Sequence, residues 1–296
     1  MSKRQMILRS EGFELELGVA GIDSLFLHER VVDEFMEGLI CELRSCGTLE
    51  DPVVIERNNI VLDGNHRTFA FRKLGLRFMA VCKVDYFHED IKLRYWFRLL
   101  RKVESLAMVT NMVEETGGAV RRVADLKSLE KRMEENPYSC GIKQGDFFAS
   151  VVFDRDRVSD AVSAYDQVED IQRKLIKTGV ELEYIPCRQV YEEDFPACLG
   201  DNAIVILTPR ITKEMVVEAV MAGKIFAPKS TRHLIPVRPV NLNVPIGWFK
   251  EEIALEEISA RVRELLDSKE VMRLEPGRDF KGRIYDEPLL VFQDKR

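Results

Sequence analysis

The chain has 296 residues, 46 % of them hydrophobic and 32 % charged, with a formal net charge of −6 and a pI near 5.5. That length supports one large domain or two ordinary ones with a real core. The acidic balance excludes a protein that coats nucleic acid non-specifically, which needs a basic face. No apolar run reaches the length of a membrane span, and "MSKRQMILRSEGFELELG" holds no long apolar stretch of the signal-peptide kind, so a cytoplasmic protein without membrane partners is expected. Six cysteines, at 41, 46, 82, 140, 187 and 198, form no CxxC pair and no zinc spacing. They read as thiols of a reducing compartment.

Along the chain, Val31, Val32, Phe35, Met36, Leu39, Ile40 and Leu43 recur at helical spacing, and Gly47 follows as a stop. This predicts an amphipathic helix over about 31–46. "PVVIERNNIVLD" predicts two short strands around a turn at Arg57-Asn58-Asn59. A helix over about 64–74, ended by Gly75, and a strand in "RFMAVCKVDYF" follow. The middle is more helical, with "LKSLEKRMEEN" and "RVSDAVSAYDQVEDIQRKLIKTG", the latter stopping at Gly179. Strands are predicted at 147–153, 180–186 and 202–209. Then comes a helix stopped by Gly223, a proline-punctuated extended tract, and a charged amphipathic surface helix in "EEIALEEISARVRELLDSKEVM". The predicted architecture is α+β, with a first domain at 1–100 and a second mixed α/β domain at 101–296, the two forming a cleft.

The junction in "IVLDGNHRTFAFRKLGL" carries chemistry. A helix N-terminus has free N–H groups and a partial positive charge, and so attracts phosphate. Gly64 permits close backbone approach, Arg67 can fork onto phosphate oxygens, and His66 can donate a hydrogen bond or move a proton. Asp63 at the strand end can hold magnesium or polarise a hydroxyl. The same residues also suit a plain helix cap with a solvated arginine.

A second cluster, Lys229, Ser230, Thr231, Arg232 and His233 in "AGKIFAPKSTRHLIP", offers cations and hydroxyls for an anion. It also reads as a polar loop. Two of the four histidines thus sit beside arginine, and His28 precedes Glu29 in "LFLHERVV". Glu29 reads either as a base with a tuned pKa or as a dipole partner at a helix start.

The stretch from "LFLHERVV" through "VLDGNHRTFAFRKLGLRFMAVCKVDY" resembles the ParB/sulfiredoxin-type nucleotide-binding domain. It is most similar to the free L-serine kinases on that scaffold, with their His-Glu pair and Asp-Gly-x-His-Arg signature. "TKEMVVEAVMAGKIFAPKSTRH" resembles their C-terminal half, and residues 250–296 have no counterpart. Asn65 stands where these kinases usually carry a second histidine.

The resemblance implies a phosphoryl transfer from ATP or ADP to the hydroxyl of free L-serine, with Mg2+. It makes Glu29 the base and Asp63 its helper or a magnesium ligand. It puts Gly64, Asn65, His66 and Arg67 on the nucleotide phosphates, and Lys229, Ser230, Thr231, Arg232 and His233 on phosphate or phosphoserine. His28 and Trp96 would lie near the substrate, although a core role for Trp96 is the plainer reading.

Of the rival readings, a sulfiredoxin needs a cysteine where Asn65 stands. A ParB-like regulator would add a DNA-reading helix, for which "GGAVRRVADLKSLEKRMEEN" mixes acids with its bases; nucleic acid is not an expected partner. A sensor that keeps the fold but not the catalysis is opposed by Glu29 and Asp63.

Overall fold

The structure is a computed structural model and describes residues 5–186 and 203–295. The chain divides into two compact units, Met1–Lys92 with His233–Arg296, and Leu93–Arg232. The boundary expected near residue 100 is therefore replaced by two crossings, and the C-terminal 64 residues return to the first unit rather than extending the second.

The reason for the return lies in pairing and packing. Val244–Pro245 pairs with Thr48–Leu49, Phe249 packs on Phe71 with ring centroids 5.9 Å apart, and the Arg77 N–H donates to the Phe249 carbonyl. Such contacts between distant segments leave no local mark in the sequence.

The first unit is built on a six-stranded mixed sheet in the order Met6–Ser10, Phe13–Gly21, Phe78–Val84, Val53–Ile55, Ile60–Asp63, Phe26–Leu27. Its first two strands form a hairpin whose turn residues, Glu11 and Gly12, both have positive φ, the twist that tight antiparallel hairpins need. Val53–Ile55 and Ile60–Asp63 form the expected second hairpin. Leu15, Leu17, Val53, Ile55, Ile60, Val61 and Phe71 are buried in its core.

The helix Asn65–Lys73 lies where it was expected, with Gly75 at φ 66 just beyond it. The helix expected from residue 31 begins later. Asp33–Phe35 form a 3-10 turn and the α-helix is Met36–Cys46, closed by Gly47 in the left-handed conformation. The backbone amide of Val32 is instead bonded to a side chain of the site. The C-terminal helix is shorter than expected, Leu255–Asp267, because Lys269–Leu274 is a strand beside Leu289–Asp294. Ile258, Val262 and Leu266 are buried, so one face of this helix is packed against the sheet rather than lying loose on the surface.

The second unit has a six-stranded sheet in the order Gly118–Val123, Phe147–Phe153, Cys140–Gln144, Ile204–Leu207, Trp96–Arg101, Glu181–Pro186, with antiparallel neighbours throughout. Leu106–Glu115 and Ala161–Lys177 cover one face, contributing Val109, Val113, Val168, Ile171 and Leu175 to its core. Leu126–Glu135 covers the other through Leu129 and Met133. Asp160 starts the long helix with a capping box to Ser163.

The segment considered as a DNA-reading helix is a strand, Gly118–Val123, followed by the helix Leu126–Glu135. Its paired arginines, Arg121 and Arg122, are on the strand. Among the described residues, no helix is long and apolar enough to cross a membrane. Burial pushes the Cys82 and Cys140 thiols up to about 12, which makes them inert, and Cys41 and Cys46 are exposed free thiols. Cys187, Cys198 and the first residue of the 202–209 strand expectation lie outside the described residues.

Candidate active site

In the first unit, the junction is built as a strand end, a glycine and a helix start. Ile60–Asp63 ends on the half-buried Asp63, and Gly64 opens the helix at φ 101 with no side-chain cap. A Cβ on Gly64 would come within 2.4 Å of Val53 Cγ1. Sterics and the left-handed backbone both demand glycine there.

Asp63 is the electrostatic centre. Its Oδ2 accepts from Arg67 Nη2 at 3.1 Å and from Arg238 Nη1 at 2.9 Å. Burial raises the carboxyl, but Arg238 and Arg67 more than reverse this and hold it at about 2. Arg238 is in turn ion-paired with Glu287 and donates to the His233 carbonyl at 3.4 Å. Sequence reading missed Arg238 and Glu287. A lone arginine in a proline-punctuated tract gives no cue to a carboxylate 175 positions away.

Arg67 is not an idle fork. Its Nη1 donates to the carbonyls of Asp51 at 2.6 Å and Pro52 at 3.2 Å. Three of its donors therefore tie the helix start to the preceding loop and to Asp63. His66 Nε2 accepts from the Val32 N–H at 3.0 Å, so its other nitrogen carries the proton. Asn65 is buried and its Oδ1 accepts from the His28 N–H at 3.2 Å. The Asn65 side chain thus fastens the His28-Glu29 segment to the helix start and is committed within the protein.

His28 is also buried. Its Nδ1 donates to the Val61 carbonyl, which leaves Nε2 facing Glu29 Oε1 at 3.7 Å. With 1 % exposure, His28 does not form a surface that meets substrate directly. Glu29 is half-buried, with 13 % of its side chain exposed.

His233 belongs to this unit and not to an external loop. Its ring stands edge-on to His28 at 5.2 Å and its Nε2 shares a 2.8 Å hydrogen bond with the Tyr86 hydroxyl. Burial first, then the neighbouring His28, push it down to about 3 against the pull of Glu29 and Asp63. A buried neutral imidazole is not a cationic phosphate clamp, and the role expected for His233 changes to support of this cluster.

In the second unit, the cations converge on Trp96. Lys229 Nζ is 4.6 Å and the Arg232 guanidinium 5.9 Å from its ring centroid. Trp96 is half-buried, and its Nε1 donates to the Thr231 carbonyl at 3.0 Å. It is a platform for the segment rather than a core residue. Lys229 has a positive φ of 59, and its carbonyl accepts from the buried Arg98 at 3.0 Å. The Ser230 side chain is fully buried and donates to the Ala227 carbonyl at 2.8 Å. Ser230 therefore shapes the turn and is withdrawn from anion contact; Thr231 is buried too. Lys229 and Arg232 remain as the cations of this cluster.

No family model matches the chain. It is 22 % identical to the ATP-dependent L-serine kinase of Staphylothermus marinus over 236 residues, 77 % of this chain and 89 % of the relative. It is 24 % identical to the ADP-dependent L-serine kinase SerK of Thermococcus kodakarensis, over 76 % of this chain and 89 % of that one. It is also 24 % identical to a ParB-like protein of Sulfolobus acidocaldarius, over 70 % of this chain and 84 % of that one. Among solved structures, a glutamate-to-alanine variant of free serine kinase in complex with AMP superposes with a TM-score of 0.65 at 20 % identity, covering 84 % of this chain and 95 % of that one. The chain has the fold of the free serine kinases, a mixed α/β architecture.

Proposed function

We propose that the chain is a free L-serine kinase, transferring a phosphoryl group from ATP or ADP to the serine hydroxyl to give O-phospho-L-serine. The observation that carries this is the placement of Glu29, whose neighbour His28 is bonded through its N–H to Asn65, beside the Asp63-to-Arg67 helix start in one compact unit. The similarity to L-serine kinases over about three quarters of the chain supports it.

The two carboxylates divide the work. Asp63, held at about 2 by two guanidinium groups, is too weak a base to accept a hydroxyl proton and serves to fix the cations of the site. Glu29 takes the proton as the serine oxygen attacks the terminal phosphorus in line. The bond to the leaving nucleotide oxygen breaks, and that oxygen keeps the electron pair as ADP or AMP departs. The helix-start amides and Gly64 receive phosphate oxygens. Lys229 and Arg232, the cations gathered on Trp96 in the second unit, are that unit's candidates for phosphate contact.

Among the described residues no group of three or more His, Cys, Asp or Glu is placed to hold a metal. Asp63 does not fit the magnesium role assigned from the sequence, because its Oδ2 already joins two cations. Magnesium commonly enters with nucleotide phosphates rather than in a protein cage, and no step here runs through it.

Incubation with L-serine, magnesium and either ATP or ADP, followed by phosphorus NMR, tests the reading. Appearance of O-phosphoserine in one of the two supports it. Nucleotide binding with no phosphoserine from either donor would favour the ParB-like regulator instead.

A further inference from the structure

The first unit holds a recess of about 190 Å³ away from the residues of the candidate active site. It lies over the face of the sheet that carries Glu16, Gly18, Val81 and Lys83, with Ile55 and the helix residue Leu255 at its walls. Glu16 and Lys83 are directly opposite each other on antiparallel strands, as are Gly18 and Val81. At that register opposite charges ordinarily meet. Here, among the described residues, neither side chain forms an ion pair or hydrogen bond with the other or with a third group. Gly18 removes a side chain from the floor beside them.

We propose that this recess binds a free zwitterionic amino acid. Glu16 receives the α-ammonium, Lys83 receives the α-carboxylate, and the exposed Leu255 side chain at the wall meets a small aliphatic side chain. One molecule with opposite charges a few ångström apart satisfies both groups at once, which a simple anion or cation does not. The volume falls below the roughly 300 Å³ at which drug-sized pockets begin, so a nucleotide is excluded. Asn59, the turn residue just before the strand Ile60–Asp63, also lines the recess. The proposal does not rest on the kinase reading.

The test uses the full chain and L-valine, which has no hydroxyl to phosphorylate. Calorimetry measures its affinity, and hydrogen exchange maps it. The expected result is slowed exchange in residues 16–21 and 80–83, with affinity reduced at least tenfold in E16Q and in K83M and unchanged in E29Q. L-Valinamide and N-acetyl-L-valine, each lacking one charge, should also bind at least tenfold more weakly. G18L puts a side chain on the recess floor, where its Cβ meets the Gln5 side chain at 3.2 Å, and should abolish binding; matched thermal midpoints show that each variant is folded. No binding of L-valine, or binding equal in wild type, E16Q and K83M, overturns the proposal.

Discussion

Arg238 donates to Asp63 at 2.9 Å across 175 residues of sequence, and the same guanidinium is ion-paired with Glu287. One cation from the C-terminal return thereby neutralises the acid that ends the strand leading into the candidate phosphate-binding helix. Removing it should take the ion-pair partner from Glu287 and leave Asp63 with Arg67 alone. Arg238→Leu is expected to lower unfolding free energy by about 2–3 kcal/mol, less than a fully buried pair because part of the network reaches solvent. Urea denaturation checks this. It should also raise the Asp63 carboxyl above about 2, visible by carbon NMR titration.

Glu29→Gln keeps the shape and removes the base. Turnover should fall by orders of magnitude while nucleotide affinity stays within a few-fold of wild type. Steady-state rates and calorimetry on the same preparation separate the two, and near-normal turnover would rule out the role of Glu29.

Gly64→Ala places a methyl 2.4 Å from Val53 Cγ1 at a backbone angle that disfavours alanine. Overpacking and backbone strain together predict a loss of about 2–4 kcal/mol. Nucleotide affinity should fall in the protein that remains folded, because the amides of the helix start shift.

Arg232→Ala removes a cation from the Trp96 cluster without emptying a core. Affinity for nucleotide or O-phosphoserine should weaken by about 1.5–3 kcal/mol, the scale of a charged hydrogen bond. Ser230→Ala is the contrast. Its hydroxyl serves the Ala227 turn, so it should affect thermal stability more than ligand affinity. Unchanged affinity in Arg232→Ala for both ligands would withdraw the phosphate role from this cluster.

The pH dependence of stability follows from His233 and Asp63. Above about pH 6.5, His233 is neutral in both folded and unfolded chains. Below it, the unfolded imidazole takes a proton that the buried one accepts only near 3. Stability should therefore fall as pH drops from 6.5 toward 3, by up to about 1.4 kcal/mol per pH unit from this group. His233→Gln should flatten that slope in denaturation curves taken across the range. The Asp63 ion pairs stabilise the fold fully above its ordinary value of 3.8, and that contribution is lost as pH falls through about 2.

Local chemistry determined much of this in the sequence. The second hairpin, the Asn65–Lys73 helix and its glycine stop, the long capped helix and the 147–153 strand are all set by alternation, helical spacing and turn residues, which act over a few positions. So was the density of Asp63, His66 and Arg67 at one junction, and its resemblance to serine kinases. Tertiary structure alone decided what each polar group is used for. Asn65, His28 and Ser230 look like ligand contacts in the sequence, yet their hydrogen bonds are taken by Val61, by one another and by Ala227. His233 becomes a neutral core imidazole because burial and a second histidine oppose its charge. Arg238 becomes part of the site because a chain segment more than 170 residues away folds back onto the sheet. Burial and long-range pairing depend on which segments meet, and no window of neighbouring residues encodes that.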